Sequence, residues 1–342
     1  MKKSILALML LIAAIATISA QLPVNLYGRA AVGENGVVAA AKPEASQVGI
    51  DILKKGGNAV DAAIATGFAL GVLEANANGI GGGGFMIIKM VDMAEPVVID
   101  FREKAPGKAT PTMYLGPDGK VIPNSTIEGG LSVGVPGEVK GLLYALENYG
   151  SGKLSRADII QPAIQWALQG IPVTVNLESI IKDNYGKLVK YENGAQIYLK
   201  DGLPYEVGDV IYNPDLARTL AKIVKEGADA IYKGPIAQAM VDEVQKRGGI
   251  LTLEDLANYE IKVRKAVEGE YRGYKVYSVP PASSGGTHLI EILNILENFD
   301  VVKLGFQTAQ ASHLWSEILK LTFADRAKYM ADTDFVQVPL KG

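Results

Sequence analysis

Residues 79–84 have the sequence GIGGGG, and this glycine run with its two flanks constrains the fold more than any other feature. Before it, residues 59–73 form an Ala-rich segment that is apolar on nearly every side, which predicts a buried helix. After it, residues 85–89 and 97–101 are short apolar runs typical of strands. Glycines can take positive φ and lie close against another surface. The order of helix, glycine loop and two strands therefore predicts buried helices packed on a sheet.

The glycine run does not match a phosphate-binding loop. A dinucleotide fingerprint must follow a strand and open a helix, whereas this run follows a helix and opens a strand. No Lys-Ser or Lys-Thr pair follows it, as a Walker motif would require. A loop that only packs beneath a neighbouring strand and a loop with a functional role both remain open on these grounds.

The rest of the chain mixes helix and strand signals, and we expect an α+β fold in one compact unit. A stripe formed by Leu314, Ile318 and Leu321 has the spacing of a helix core. Residues 110–136, rich in Pro, Gly and Thr, predict an ordered loop. Further helices are predicted at residues 43–55, 138–149, 159–168, 214–224, 236–247, 252–259, 289–298 and 309–329, and further strands at residues 36–41 and 270–279.

Composition excludes several classes of function. The chain has 342 residues with 34 Lys and Arg against 37 Asp and Glu, and a net charge near zero argues against nucleic acid as a partner. There is no cysteine, which removes disulfides, zinc fingers and cysteine nucleophiles. The two histidines, His288 and His313, are 25 positions apart without carboxylates at ligand spacing, so we expect no metal site.

The N-terminus has the pattern of a secretory signal. Lys2 and Lys3 precede an apolar run over residues 5–18, and small residues end it at Ala20. The run is shorter than the roughly 20 apolar residues that a membrane span needs. We therefore predict a signal peptide at residues 1–20, with cleavage after Ala20 or after Ala16, and a periplasmic or secreted protein.

Two polar motifs offer candidate site residues. Arg102 follows a predicted strand in the motif D-F-R-E, where it could bind a carboxylate ligand in bidentate fashion. From the sequence pattern alone, a structural ion pair of Arg102 with Asp100 or Glu103 is the favoured interpretation. The motif PPASSGG at residues 280–286 lacks the glycine that a serine nucleophile elbow needs, so a turn ahead of a helix is favoured there.

Taken together, the motifs resemble the large-subunit region of bacterial gamma-glutamyltranspeptidases (glutathione hydrolases). The resemblance runs through most of residues 21–342, and several separate motifs occur in the order that the family has. These motifs are GGNAVDAA at residues 56–63, GIGGGGF at 79–85, DFREKAP at 100–106, SVGVPG at 132–137, GGILT at 248–252, PPASSGG at 280–286 and ADR at 324–326.

The resemblance implies an N-terminal-nucleophile hydrolase, an αββα four-layer sandwich made as one precursor that cuts itself. The threonine that opens the small subunit would be the nucleophile, with no cofactor. Arg102 would bind the α-carboxylate of the γ-glutamyl group, which reverses the ion-pair preference, and Asp100 and Glu103 would orient Arg102. The expected partners are that small subunit, glutathione and other γ-glutamyl donors, and amino acid or dipeptide acceptors.

The resemblance implies that a threonine-led small subunit would begin only beyond residue 342, so we expect the chain to be inactive alone. Three alternatives stay open: a related secreted acylase, a poly-γ-glutamate-processing transpeptidase, or a secreted binding protein without activity. None of the residues discussed above distinguishes among them.

Overall fold

The computed structural model describes residues 31–340, so the predicted signal at residues 1–20 lies outside the described residues. The chain divides into two units between Ala39 and Ala40, and the helices and strands described below belong to the second unit. The single unit predicted for residues 21–342 stays a prediction. The strand predicted at residues 36–41 is wrong. A strand needs a hydrogen-bonded neighbour, and residues 36–41 are irregular and largely exposed, with no strand assigned to them.

Helices make up about half of the second unit. None of the helices between residues 31 and 340 is long and apolar enough to cross a bilayer. They are α1 (Pro43–Lys54), α2 (Ala59–Leu73), α3 (Glu138–Tyr149), α4 (Arg156–Gln169), α5 (Val175–Asp183), α6 (Tyr185–Leu188), α7 (Glu192–Tyr198), α8 (Pro214–Glu226), α9 (Asp229–Tyr232), α10 (Gly234–Lys246), α11 (Leu253–Ala257), α12 (Gly285–Leu296), α13 (Val301–Leu304) and α14 (Ala309–Tyr329). The loop predicted at residues 110–136 is confirmed, with one 3₁₀ turn at Gly130–Ser132.

The strands form one three-stranded antiparallel sheet and three smaller pairs. They are β1 (Phe85–Ile88), β2 (Val97–Asp100), β3 (Ile171–Pro172), β4 (Leu199–Lys200), β5 (Leu203–Pro204), β6 (Val210–Ile211), β7 (Lys262–Lys265), β8 (Val267–Tyr271) and β9 (Tyr274–Ser278). In the three-stranded sheet β2 lies between β1 and β7. The pairs are β3 with β6, β4 with β5, and β8 with β9.

The buried helix α2 begins where its sequence predicts. The Asn58 side chain accepts from the backbone N–H groups of Val60 and Asp61, and the Asp61 carboxylate accepts from the Asn58 N–H at 2.8 Å. This capping box satisfies N–H groups that a helix start otherwise leaves free. Helix α2 then packs against α1, α3 and α4, which explains why it has no polar face.

The single strand predicted at residues 270–279 is wrong, because these residues belong to a hairpin of two strands. The strands β8 and β9 pair antiparallel around a turn at Arg272 and Gly273, whose φ values are +50° and +82°. Positive φ at both central residues is the turn that matches strand twist. Arginine is not typical of a turn position with positive φ, so the alternating pattern of residues 270–279 does not indicate the turn.

Helix α14 has the predicted bounds but not the predicted burial. Ile318 is buried, whereas Leu321 is 56% exposed and Leu314 is only partly covered. The interpretation of the Leu314, Ile318 and Leu321 stripe as helix core is therefore wrong for Leu321. Other large apolar side chains on this helix, Trp315 and Phe323 among them, are also exposed.

Candidate functional site

The main chain of Arg102, which follows strand β2, is held by two hydrogen bonds. The Arg102 N–H donates to Asp100 Oδ1 at 3.0 Å, and the Tyr259 hydroxyl donates to the Arg102 carbonyl at 2.9 Å. Asp100 and Tyr259 are both buried. The Arg102 side chain, in contrast, is 63% exposed. A fixed backbone with a projecting guanidinium is suited to binding an anionic group.

The glycine loop packs against this strand end. Phe101 exchanges two backbone hydrogen bonds with Gly84, at 3.0 and 3.3 Å. A Cβ added at Gly83 would lie 2.5 Å from the Phe101 carbonyl oxygen, so only glycine fits there. The Gly82 carbonyl accepts from the N–H groups of Gly137 and Glu138, which joins the loop to the start of α3. The glycine run therefore has the packing role that its sequence suggested.

A cleft of about 590 Å³ opens beside the strand end. Gly81 lies in its wall, and an added Cβ there would meet no atom within 4 Å. This part of the loop is therefore free of the packing constraint found at Gly83. The residues that line the cleft are Gly81, Arg102, Glu103, Lys104, Ala105, Pro106, Ala109, Met113, Tyr114, Leu131, Ser132, Val133 and Gly134.

The acidic neighbours of Arg102 are used in different ways. Glu103 Oε2 lies 3.5 Å from Arg102 Nε, in an exposed ion pair. Exposed pairs contribute little, about 0–1 kcal/mol, so this contact leaves the guanidinium available to a ligand. The Asp100 carboxylate bonds the Arg102 backbone N–H instead of its guanidinium, and its other oxygen lies 2.7 Å from Arg264 Nε. The orienting roles predicted for Asp100 and Glu103 stay predictions, but both groups are in place for them.

A stacked tyrosine pair lies under the site and was not foreseen from the sequence. The rings of Tyr232 and Tyr259 are 5.7 Å apart, and Tyr232 donates to the Pro136 carbonyl at 2.8 Å. Burial raises the pKa of both hydroxyls well above the ordinary value for tyrosine. Both therefore stay protonated and act as hydrogen-bond donors. No local pattern marks Tyr259, because its partner Arg102 is 157 positions away.

Glu138 is a buried carboxyl at the first turn of α3, directly behind the glycine loop. Burial, and after it the nearby charge of Glu103, raises the pKa of Glu138 from 4.5 to about 7. No sequence pattern marks Glu138, since an acidic residue at a helix start is ordinary.

We expect Glu138→Gln to change how stability depends on pH. In the wild type the folded-state pKa lies above the unfolded one, so the folded protein holds the extra proton between pH 4.5 and about 7. Its contribution, about 3 kcal/mol, is complete below pH 4.5 and is lost as the pH rises through 7. The glutamine is neutral throughout. The variant should therefore be more stable than the wild type by about 2 kcal/mol at pH 8, since the buried amide retains some desolvation cost.

The measurement is urea unfolding of wild type and variant at several pH values between 4.5 and 8.5. Glu147→Gln, at an exposed position of the same helix, is the matched control and should follow the wild-type profile. Parallel profiles for wild type and Glu138→Gln would contradict the assignment.

The remaining candidates do not join this site. At residues 280–286 the predicted turn ahead of a helix is confirmed, since α12 begins at Gly285. Ser284 accepts from Arg326 Nε at 3.1 Å, and the buried His288 places its Nδ1 2.6 Å from the Ser284 carbonyl oxygen. Among residues 31–340, no three His, Cys, Asp or Glu side chains are grouped as a metal site would require.

Comparison with known proteins assigns the family. The sequence model of gamma-glutamyltranspeptidase matches residues 45–342, most of the chain. The chain belongs to the gamma-glutamyltranspeptidase family. The glutathione hydrolase proenzyme of Escherichia coli (strain K12) is 45% identical over 308 residues, which are 90% of this chain and 52% of that relative. The acylase ACY 1 proenzyme of Pseudomonas sp. (strain SE83) is 42% identical over 314 residues, 90% of this chain and 56% of that relative.

Solved structures of the gamma-glutamyltranspeptidase family give the fold. The crystal structure of the Helicobacter pylori gamma-glutamyltranspeptidase superposes with a TM-score of 0.88 at 42% identity, covering 91% of this chain and 88% of that one. The predicted α+β class and the N-terminal-nucleophile hydrolase fold are confirmed. The chain spans about half the length of the curated relatives that it matches.

Proposed function

We propose that this chain is the large-subunit part of an enzyme that cleaves γ-glutamyl amides such as glutathione. The observation that carries the proposal is Arg102, which projects into the cleft from a strand end fixed by Asp100 and Tyr259. A guanidinium in this setting is suited to the α-carboxylate of a γ-glutamyl donor. Holding that distant carboxylate places the γ-amide at a defined point of the cleft.

The chemistry of the completed enzyme is covalent acyl transfer. A threonine hydroxyl of the small subunit, activated by its own free amine, attacks the γ-glutamyl carbonyl, and backbone N–H groups stabilise the oxyanion. The amine leaves, as cysteinylglycine does from glutathione. Water, an amino acid or a dipeptide then takes the γ-glutamyl group from the threonine. The residues of this chain contribute the position of the donor.

The exposed surface of α14 supports a small-subunit partner. Monomeric proteins rarely expose contiguous apolar patches, and such patches mark interaction surfaces. We propose that the small subunit of the same precursor covers this surface, and that the precursor is exported by the signal at residues 1–20. The exposed apolar side chains of α14 include Trp315, Leu319, Leu321 and Phe323.

The test begins with the reading frame beyond residue 342. An in-frame continuation with a threonine-led segment is expected, and the full-length product should cut itself into two fragments. That product should release p-nitroaniline from γ-glutamyl-p-nitroanilide. Residues 21–342 expressed alone should give no turnover, because the nucleophile lies in the other subunit. Turnover by residues 21–342 alone would contradict the proposal.

One relative, the Pseudomonas acylase, makes a second function worth a separate assay. A glutaryl amide has the terminal carboxylate that Arg102 would hold but lacks the α-amino group of a γ-glutamyl donor. We expect the full-length product to prefer γ-glutamyl-p-nitroanilide over glutaryl-p-nitroanilide. The reverse preference would indicate an acylase, release from poly-γ-glutamate alone a processing transpeptidase, and binding of γ-glutamyl compounds without turnover a binding protein.

A further inference from the structure

Asp100 is buried two positions from Arg102, and such a carboxylate is a natural partner for a nearby guanidinium. The structure pairs it elsewhere. Asp100 Oδ2 lies 2.7 Å from Arg264 Nε, and Asp100 Oδ1 accepts from the Arg102 backbone N–H at 3.0 Å. Both oxygens of the carboxylate are therefore engaged without the Arg102 guanidinium.

The register of the sheet brings Arg264 to this carboxylate. Arg264 of β7 is directly opposite Val98 of β2, and Asp100 lies two residues farther along β2 on the same face. Diagonal neighbours of this kind are within reach of long side chains. The same guanidinium bonds Asp334 Oδ1 through Nη1 at 2.9 Å, and its side chain is only 17% exposed.

Removing one partner of a buried ion pair leaves an uncompensated charge, which is strongly unfavourable. Without Arg264, the Asp100 carboxylate would need another cation. Arg102 is two positions away, and Lys262 is paired opposite Asp100 in the sheet. If Asp100 paired with the Arg102 guanidinium, that guanidinium could no longer bind a ligand in the cleft.

We propose that Arg264 is a positioning residue of the donor site: by neutralising Asp100, it prevents that carboxylate from capturing the Arg102 guanidinium. Arg102 then keeps the exposed position in which it binds the donor. This inference rests on the proposed function of Arg102. It also answers why an arginine so close to a buried carboxylate is 63% exposed.

The experiment uses the full-length processed enzyme with γ-glutamyl-p-nitroanilide as donor and glycylglycine as acceptor. In Arg264→Gln we expect donor kcat/KM to fall by about 10-fold, with kcat at saturating donor changed by less than about 2-fold. Donor capture is weakened, whereas in the later transfer step the γ-glutamyl group is already attached covalently to the threonine and depends less on Arg102. A general loss of structure would lower kcat through the active fraction instead.

The double variant Arg264→Gln with Asp100→Asn makes the test specific. It removes the carboxylate that would capture Arg102, and asparagine keeps an oxygen for the Arg102 backbone N–H. Donor kcat/KM should return to within about 3-fold of wild type. The double variant leaves no charge at the buried position 100, and Asp334, which also loses Arg264, is 29% exposed. It therefore decides the question even where the single variant does not fold.

Two control variants distinguish a positioning role of Arg264 from a general effect on protein stability. Asp334→Asn removes the second anion of Arg264 and should lower Tm while leaving donor kcat/KM unchanged. Arg218→Gln, which breaks an exposed pair with Asp215 on α8, should change neither. Unchanged donor kinetics in folded Arg264→Gln would overturn the inference, and so would a double variant that stays impaired.

Arg102→Ala in the same assay distinguishes the two levels of the proposal. Loss of donor use in Arg102→Ala together with wild-type kinetics in Arg264→Gln overturns the role of Arg264 alone. Wild-type kinetics in Arg102→Ala overturn the function proposed for Arg102 itself.

Discussion

Arg102→Ala is expected to lower kcat/KM for a γ-glutamyl donor by about 30- to 1,000-fold, a loss of about 2–4 kcal/mol in transition-state stabilisation. The guanidinium would form a charge-assisted contact with the donor α-carboxylate, and such contacts are the strong ones. The main chain of Arg102 is already fixed by Asp100 and Tyr259, so little further conformational entropy is lost when a donor binds.

The measurement is the steady-state kinetics of the full-length processed enzyme with γ-glutamyl-p-nitroanilide. Arg102→Lys should fall between wild type and alanine, since it keeps the charge but loses the planar fork. Arg218→Ala, at an exposed position on α8, is the control and should match wild type. Donor kinetics that do not change in Arg102→Ala would remove the basis of the proposed site.

Sequence patterns predicted the elements that local chemistry determines. The start of α2 follows from Asn58 and Asp61, and the start of α4 from Ser155 and Asp158, because each pair forms a capping box within four residues. The glycine run was placed correctly between α2 and β1, and its close packing on Phe101 follows from the absence of a side chain. Such signals lie within one turn of a helix or one loop.

The rest of the site depends on contacts between distant segments. Arg264 lies in β7, whose sequence KVRK is polar and does not have the pattern of a buried strand. Its pairing with β2 becomes visible only when the sheet is assembled, 164 positions from Asp100. The choice between an ion pair and a ligand-binding role for Arg102 could not be made from the motif for the same reason. Arg264, which forms the ion pair with Asp100, is distant in the sequence.

Burial on α14 illustrates a different limit. Helical spacing of Leu314, Ile318 and Leu321 predicts that one side of the helix is covered, and Ile318 is. Helical spacing does not indicate whether the same chain or another chain covers that side of the helix. The exposed Leu321 and Trp315 are consistent with a partner surface. Helical spacing alone does not distinguish apolar residues that pack in a core from apolar residues that stay exposed.

Two glycines inside helices are expected to respond in opposite directions to the same substitution. Gly67 of α2 and Gly141 of α3 are each in a helix interior, where alanine is intrinsically better by about 1 kcal/mol. A Cβ at Gly67 would lie 3.5 Å from the two Leu142 methyl carbons, an ordinary contact. Gly67→Ala should therefore raise the free energy of unfolding by about 0.5–1 kcal/mol.

Gly141→Ala should lower the free energy of unfolding by about 3 kcal/mol, because the new Cβ would overlap the side chain of Phe101. Phe101 is buried, and overpacking or displacing a buried aromatic ring costs more than the helix gains. Urea unfolding of the full-length protein measures both variants. Since Phe101 directly precedes Arg102, Gly141→Ala should also lower donor kcat/KM, while Gly67→Ala should not. Equal signs for the two stability changes would show that Phe101 is not packed on α3 as described.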